Sequence, residues 1–254
     1  MQSIDLNCDM GEAFGNYPMP NDELLMDHIT SANIACGFHA GDPDVMQRTV
    51  AMAVKKGVAI GAHPGLPDLQ GFGRREMKIG AKEAYQITLY QIGALSGFVN
   101  AAHGKLAHVK PHGALYNMAA KDVGLAKAIA EAVHDFDPSL VLYGLANSEM
   151  ITWAKQLGLK TASEVFADRT YQDDGSLTPR KQANALITDE AVSLKQVLMM
   201  VKQQQVISTN NKTVPLTAET LCLHGDGAQA VEFAALIRKK LKSEGIIIKA
   251  PGNP

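Results

Sequence analysis

Four histidines of this chain stand beside glycine or proline just past short apolar runs. They are His39 in Gly37-Phe38-His39-Ala40-Gly41, His63 in His63-Pro64-Gly65, His112 in Lys110-Pro111-His112-Gly113 and His224 in His224-Gly225-Asp226. Imidazoles so placed suit proton transfer near neutral pH. Carboxylates occupy equivalent places: Asp9 and Glu12 after the first apolar run, then Asp42, Asp168 and Asp226. The cations Lys110 and Arg169 could hold or polarise an anionic oxygen. Asp9, His39 and His63 could instead bind one divalent metal.

The elements that must carry these residues follow from the pattern of the chain. Apolar runs over residues 3–8, 31–36, 58–62, 106–109, 140–145, 161–166 and 220–223 read as strands, and 245–249 as a short extra one. Between them, helical periodicity covers 22–29, 42–57, 81–103, 119–134, 147–157, 189–205 and 228–241. Strands separated by helices give an α/β fold with a parallel sheet. Short apolar strands are expected when both faces of such a sheet are buried. Polar residues end six of the seven main strands. An open sheet would use only the ends near its switch point, whereas a barrel brings all of them to one mouth. The pattern therefore favours one (β/α) barrel domain over residues 1–254.

Several of these residues have plainer roles available. Asp42 before Pro43 has the form of a helix N-cap, and Asp226 before Gly227 could cap the last long helix. His28, His103, His108 and His134 read as surface or packing residues. Arg74 and Arg75 lie in a long loop, 66–77, either solvated or closing as a lid on an acid.

Composition narrows the partners. With 254 residues, 46% hydrophobic, 20% charged and a net charge of −2, the chain has neither the basic tract nor the aromatic content of a nucleic-acid binder. No apolar run is long enough to span a membrane, and the N-terminus lacks a signal-peptide pattern. Cys8, Cys36 and Cys222 are odd in number and scattered, which predicts reduced, buried thiols in a cytoplasmic protein. There is no phosphate-binding Gly-x-x-x-x-Gly-Lys-Ser/Thr loop, no strand-linked Gly-x-Gly-x-x-Gly, no Gly-x-Ser-x-Gly and no His-Glu-x-x-His.

The stretches Asp5-Leu6-Asn7-Cys8-Asp9-Met10-Gly11-Glu12, Asn33-Ile34-Ala35-Cys36-Gly37-Phe38-His39-Ala40-Gly41-Asp42-Pro43, Gly61-Ala62-His63-Pro64-Gly65, Val109 through Tyr116, and Glu164-Val165-Phe166-Ala167-Asp168-Arg169 together resemble the LamB/YcsF family. The resemblance extends from Asp5 to Asp226. It implies an irregular seven-stranded (β/α) barrel of the glycoside hydrolase/deacetylase kind. It also implies opening of the lactam of 5-oxoproline to L-glutamate, with ATP hydrolysed alongside. ATP, with Mg, would be handled by partner subunits B and C. On that chemistry Asp9 or His39 is expected as the base, with Glu12 beside them, and His112 as the acid. Lys110 and Arg169 would bind a phosphoryl or carboxylate group, and His63, His224 and Asp226 would line the substrate. Two other readings stay open: a metal-dependent deacetylase using Asp9, His39 and His63, and a ligand-sensing module without catalysis.

Overall fold

The computed structural model describes residues 2–15, 17, 19–223 and 229–251. In chain order the first half runs β1 (Ser3–Met10), α1 (Asp22–Leu25), β2 (Ser31–Ala35), α2 (Pro43–Lys56), β3 (Ala59–His63), α3 (Ala81–Ala101), β4 (Leu106–Val109), α4 (Gly113–Ala119) and α5 (Val123–Phe136). The second half adds β5 (Val141–Leu145), α6 (Glu149–Gln156), β6 (Lys160–Phe166), α7 (Glu190–Gln203), β7 (Gln205–Ile207), β8 (Thr213–Pro215), β9 (Thr220–Leu223), α8 (Ala230–Ser243) and β10 (Ile247–Ile248).

Seven parallel strands close into a barrel in the order β1-β2-β3-β4-β5-β6-β9, with β9 returning to β1. Asp9 of β1 lies opposite Asn33 of β2, and Asn7 opposite Cys222 of β9. The barrel is irregular where β3 meets β4, since the register slips between Ile60 and Gly61. β10 adds a parallel edge to the start of β1, with Ser3 opposite Ile247. The helices begin where the sequence provides caps. The carboxylates of Asp42, Asp122 and Asp189 accept from the backbone N–H of Val45, Leu125 and Val192, respectively. α2 ends at Gly57, φ +67°.

The strands are buried on both sides, but the two sides differ in chemistry. Ile4, Leu6, Cys8 and Met10 of β1 join the large apolar core shared with helix residues such as Leu95, Ile129, Met150, Val197 and Ile237. The alternate residues Asp5, Asn7 and Asp9 face the lumen, where they meet Tyr143, Asn33 and Lys110 from other strands. The lumen is therefore polar, apart from a small cluster of Val141, Tyr143 and Ala162.

Three local expectations change. The helix expected over 22–29 is only α1, because after Leu25 the backbone tightens into turns, with Asp27 and His28 N–H donating to the carbonyls of Leu24 and Leu25 three residues back. The connection after α7 contains an antiparallel hairpin, β7–β8, turned at residues 208–212 with Asn211 at φ +59°. The helix expected at 119–134 is α5, which starts at Val123 because Asp122 caps it, and α4 is an additional helix before it. Cys8, Cys36 and Cys222 are free and buried. Among the described residues no helix is long and apolar enough to cross a membrane.

Packing in the lumen requires glycine at position 61. A Cβ on Gly61 would stand 2.1 Å from Nε2 of His108, whose ring is fixed by stacking on Tyr143 at 4.2 Å and by a hydrogen bond to Asn33. Gly61→Ala is expected to destabilise the protein by about 1–3 kcal/mol, the usual cost of overpacking a filled interior. Denaturant unfolding measures this, and an unchanged midpoint would contradict the packing described.

Candidate active site

The lumen is organised in layers that rise toward the C-terminal ends of the strands. Deepest is Asp5, whose Oδ1 accepts from the hydroxyls of Thr30 (2.6 Å) and Ser31 (2.8 Å). Its Oδ2 accepts from Thr220 (2.6 Å) and Tyr143 (3.1 Å). Burial raises its pKa against the opposing pull of these hydroxyls. Above it, Asn7 donates to Thr220 at 2.7 Å and to Glu164 Oε1 at 3.0 Å. Asn33 donates to Asn7 Oδ1 at 2.8 Å and to Asp9 Oδ1 at 2.9 Å, and its own Oδ1 accepts from His108 Nε2 at 2.8 Å. Burial pushes His108 down to about 3, so this imidazole is neutral.

The next layer is centred on Lys110, just past β4. Its ammonium lies 2.7 Å from Glu164 Oε1 and 3.0 Å from Asp9 Oδ1. It also donates to Asn7 Oδ1 at 3.1 Å and to the Cys222 sulfur at 3.3 Å. Burial alone would lower its pKa, but the Asp9 and Glu164 carboxylates outweigh it and hold the ammonium charged. Burial keeps the Cys222 thiol protonated.

At the mouth, one oxygen of Glu12 meets three imidazoles. Glu12 Oε1 is 3.1 Å from His39 Nε2, 3.3 Å from His112 Nδ1 and 3.9 Å from His63 Nε2. His63 Nε2 is also 3.3 Å from Asp9 Oδ2 and 2.9 Å from His112 Nδ1. His39 and His112 stack at 3.7 Å, and His63 stands edge-on to both. The carbonyl of Lys110 accepts from His63 Nδ1 at 2.6 Å, and the carbonyl of Phe72 accepts from His112 Nε2 at 2.8 Å. A carbonyl cannot donate, so these contacts fix the N–H on those nitrogens and leave His63 Nε2 and His112 Nδ1 as acceptors when neutral.

Exposure is graded across the cluster. The side chains of Asp9 and Glu12 retain 20% and 12%, against 0–4% for His39, His63, His112 and Lys110. The carboxylates are the groups a ligand reaches. Burial would raise Asp9, but His63 and Lys110 outweigh it and hold the carboxyl well below its usual range. Burial and then the Asp9 charge push Glu12 up to about 8. Burial also drives His39 and His112 down; for His63 burial is outweighed by Asp9 and the net shift is upward.

The loops that deliver these groups are tightly held. Gln91 of α3 brackets Gly65 with two 2.9 Å hydrogen bonds. The 66–77 loop is closed by the Asp68–Arg75 ion pair and by Gly73 N–H donating to Asp68 O at 2.9 Å. Gly113, φ +55°, lies so close to this loop that a Cβ would be 2.6 Å from Gly73 O. Arg74 lies over the Phe72 ring at 4.8 Å.

The structure thus brings Asp9, Glu12, His39, His63, Lys110 and His112 together. Four of them, Glu12, His39, His63 and His112, each present one possible metal-ligand atom, all within 4.8 Å of one another. Arg169 is separate in its bonding: its guanidinium donates to the carbonyls of Thr178 (2.6 Å) and Ala185 (3.3 Å), strapping the loop after β6. Asp42 caps α2. His224 and Asp226 lie outside the described residues. The sequence pattern assigned no site role to Tyr143, nor to Asp5, Asn7, Asn33 and Glu164 within the family motifs, and His108 read as a packing residue. The available signal was the period-two spacing of polar residues, Asp5-Asn7-Asp9, Ser31-Asn33 and His108-Lys110, each pattern lining one face of a strand.

Comparison with known proteins agrees with this architecture. The chain is 60% identical over 251 residues to the A subunit of 5-oxoprolinase from Geobacillus kaustophilus (strain HTA426), covering 99% of this chain and 98% of that one. Its fold matches the crystal structure of a lactam utilization protein from Thermus thermophilus with a TM-score of 0.91 at 42% identity, over 98% and 99% of the two chains. The catalytic domain of a peptidoglycan N-acetylglucosamine deacetylase from Eubacterium rectale shares the fold alone, with a TM-score of 0.52 at 12% identity over 100% of this chain and 90% of that one. Residues 4–253 match the family described as LamB/YcsF, and the chain belongs to that family.

Proposed function

We propose that this chain is the A subunit of an ATP-hydrolysing 5-oxoprolinase and that the Asp9 mouth opens the lactam ring. The observation that carries the reading is the meeting of Asp9, Glu12, Lys110 and three histidines, from four separate strand ends, around the two most accessible carboxylates of the cluster. The names of the relatives, a 5-oxoprolinase subunit and a lactam utilization protein, support the substrate class.

In the reaction, the oxygen of water forms a bond to the lactam carbonyl carbon. The ring C–N bond then breaks, the nitrogen takes up a proton, and L-glutamate results. An unstrained amide is a poor electrophile, and transfer of a phosphoryl group from ATP to its oxygen, with ADP released, would correct that. Ring opening then leaves the phosphoryl group on the new acyl carbon's oxygen, and a second water releases it as inorganic phosphate. We assign ATP and Mg to partner subunits B and C, a division supported by the designation of the relatives as one subunit of an enzyme. Asp9 has its Oδ1 filled by donors from Lys110 and Asn33 and its Oδ2 directed to the mouth, so it is placed to accept the proton of the attacking water. The Glu12, His39, His63 and His112 group adjoins Asp9 Oδ2 and would line the space in which the lactam meets the attacking water. Lys110 positions Asp9. Arg169 holds the β6–α7 loop at the same end of the barrel, with His224 and Asp226 assigned to substrate binding.

Glutamate release from 5-oxoproline and ATP, in extract lacking this subunit, tests the reading. The purified chain should restore release, and Asp9→Asn should lower the rate by roughly a hundredfold or more while folding is retained. Failure of the wild-type chain beside working partners, or normal turnover by Asp9→Asn, would overturn it. Lys110→Met should cost about 3–5 kcal/mol of stability, since it leaves the fully buried Glu164 carboxylate and the partly buried Asp9 uncompensated. Adding Glu164→Gln should recover part of that loss in denaturant unfolding, an effect absent if Lys110 contributed packing alone.

A further inference from the structure

From the geometry of the mouth we infer a binding site for one divalent transition-metal ion of the zinc class, with Glu12 Oε1, His39 Nε2, His63 Nε2 and His112 Nδ1 as ligands. This goes beyond the lactam reading, because it concerns what the cluster binds before any substrate arrives.

The spacing matches such an ion. Zinc holds nitrogen and carboxylate oxygen at about 2.0–2.2 Å, so neighbouring ligand atoms on a tetrahedron stand about 3.3–3.6 Å apart. The observed separations are 3.1, 3.3 and 3.9 Å from Glu12 Oε1 to His39, His112 and His63, and 2.9 Å between His63 and His112. They bracket that range, and one possible ligand atom from each of the four residues lies within 4.8 Å of the other three.

The proton positions agree. His63 and His112 each give their other ring N–H to a backbone carbonyl, of Lys110 and Phe72, which is the outer-shell arrangement that orients metal-binding imidazoles. Their remaining nitrogens are both acceptors and face each other at 2.9 Å, which repels unless a proton or cation lies between them. Among the described residues His39 has no partner on Nδ1, and its Nε2 is directed at Glu12. The fourth atom to reach this point is a carboxylate oxygen, and three imidazoles with one carboxylate form a donor set suited to zinc-class ions rather than to magnesium or calcium. Asp9 stands just outside the set, with Oδ2 3.3 Å from His63 Nε2. An ion held there would act as a Lewis acid toward a carbonyl or phosphoryl oxygen.

The full chain, stripped with a chelator and held without substrate, should be titrated with Zn2+ by calorimetry and with Co2+ by visible absorption. One equivalent of each should bind, with Co2+ giving the ligand-field band of a site containing imidazole nitrogen. Glu12→Gln and His112→Ala, each shown to be folded by circular dichroism, should lower affinity by at least the roughly 10–100-fold that loss of an outer-shell partner costs. No uptake of either ion by the folded chain would overturn the inference and leave a proton shared between His63 and His112. Uptake unaffected by both variants would overturn it equally, by placing the ion elsewhere. Since no substrate enters these titrations, a negative result leaves the assignment of lactam opening untouched.

Discussion

The ammonium of Lys110, enclosed between the carboxylates of Asp9 and Glu164, is the interaction on which the rest of the barrel interior depends. The fully buried Glu164 and the partly buried Asp9, on different strands, would repel each other and lose hydration; one cation within hydrogen-bonding distance of both offsets much of this. Its partners come from β1, β6 and β9, and Lys110 itself follows β4, so a single charge ties together strands from around the barrel. The amides of Asn7 and Asn33 supply the remaining donors, so the charged centre is hydrogen-bonded on several sides. Such an arrangement favours one register over its neighbours. A slip of one residue in β1 would point Ile4, Leu6 and Cys8 into the polar lumen and turn Asp5, Asn7 and Asp9 into the apolar outer core.

The polar lumen also accounts for the rigidity of the mouth. Asp5, held by four hydroxyls, anchors the deep layer, and each layer above is hydrogen-bonded to the one below through Thr220, Asn7 and Asn33. Asp9 therefore arrives at the mouth with one oxygen fixed by Lys110 and Asn33 and the other beside His63, on the side a ligand reaches. Sites of this kind reach their electrostatic effect by having donors and charges already in place before substrate enters. The loops contribute in the same way. Carbonyls of Lys110 and Phe72 set the proton positions of His63 and His112, and the 66–77 loop that supplies Phe72 is itself closed by Asp68 and Arg75.

Much of this was readable in the sequence. Seven apolar runs separated by helical periodicity specify a parallel α/β sheet, and polar residues at most strand ends specify closure, because only a barrel lets all those ends share a mouth. Asp9, Glu12, His39, His63, Lys110 and His112 were identifiable for the same reason: each follows an apolar strand next to a turn-forming residue. The cap at Asp42 was equally local. The motifs around these residues were specific enough to point to the LamB/YcsF family.

Only the tertiary structure decided how these groups divide their work. Lys110 and Glu164 are 54 positions apart in the numbering, and nothing local says that they pair across a closed lumen. The pairing follows from strand tilt and register, which place β4 and β6 residues opposite β1. Asn33, Tyr143 and His108 became part of the site for the same reason, since in isolation each resembles an ordinary strand residue. The histidine tautomers depend on carbonyls from other loops, Phe72 above all, and those distances exist only once the 66–77 loop has folded back against Gly113. Residue types and their local spacing thus determined which groups reach the mouth. Barrel closure determined which of them are buried, paired or left facing an incoming ligand, because burial and pairing are properties of contacts between distant segments.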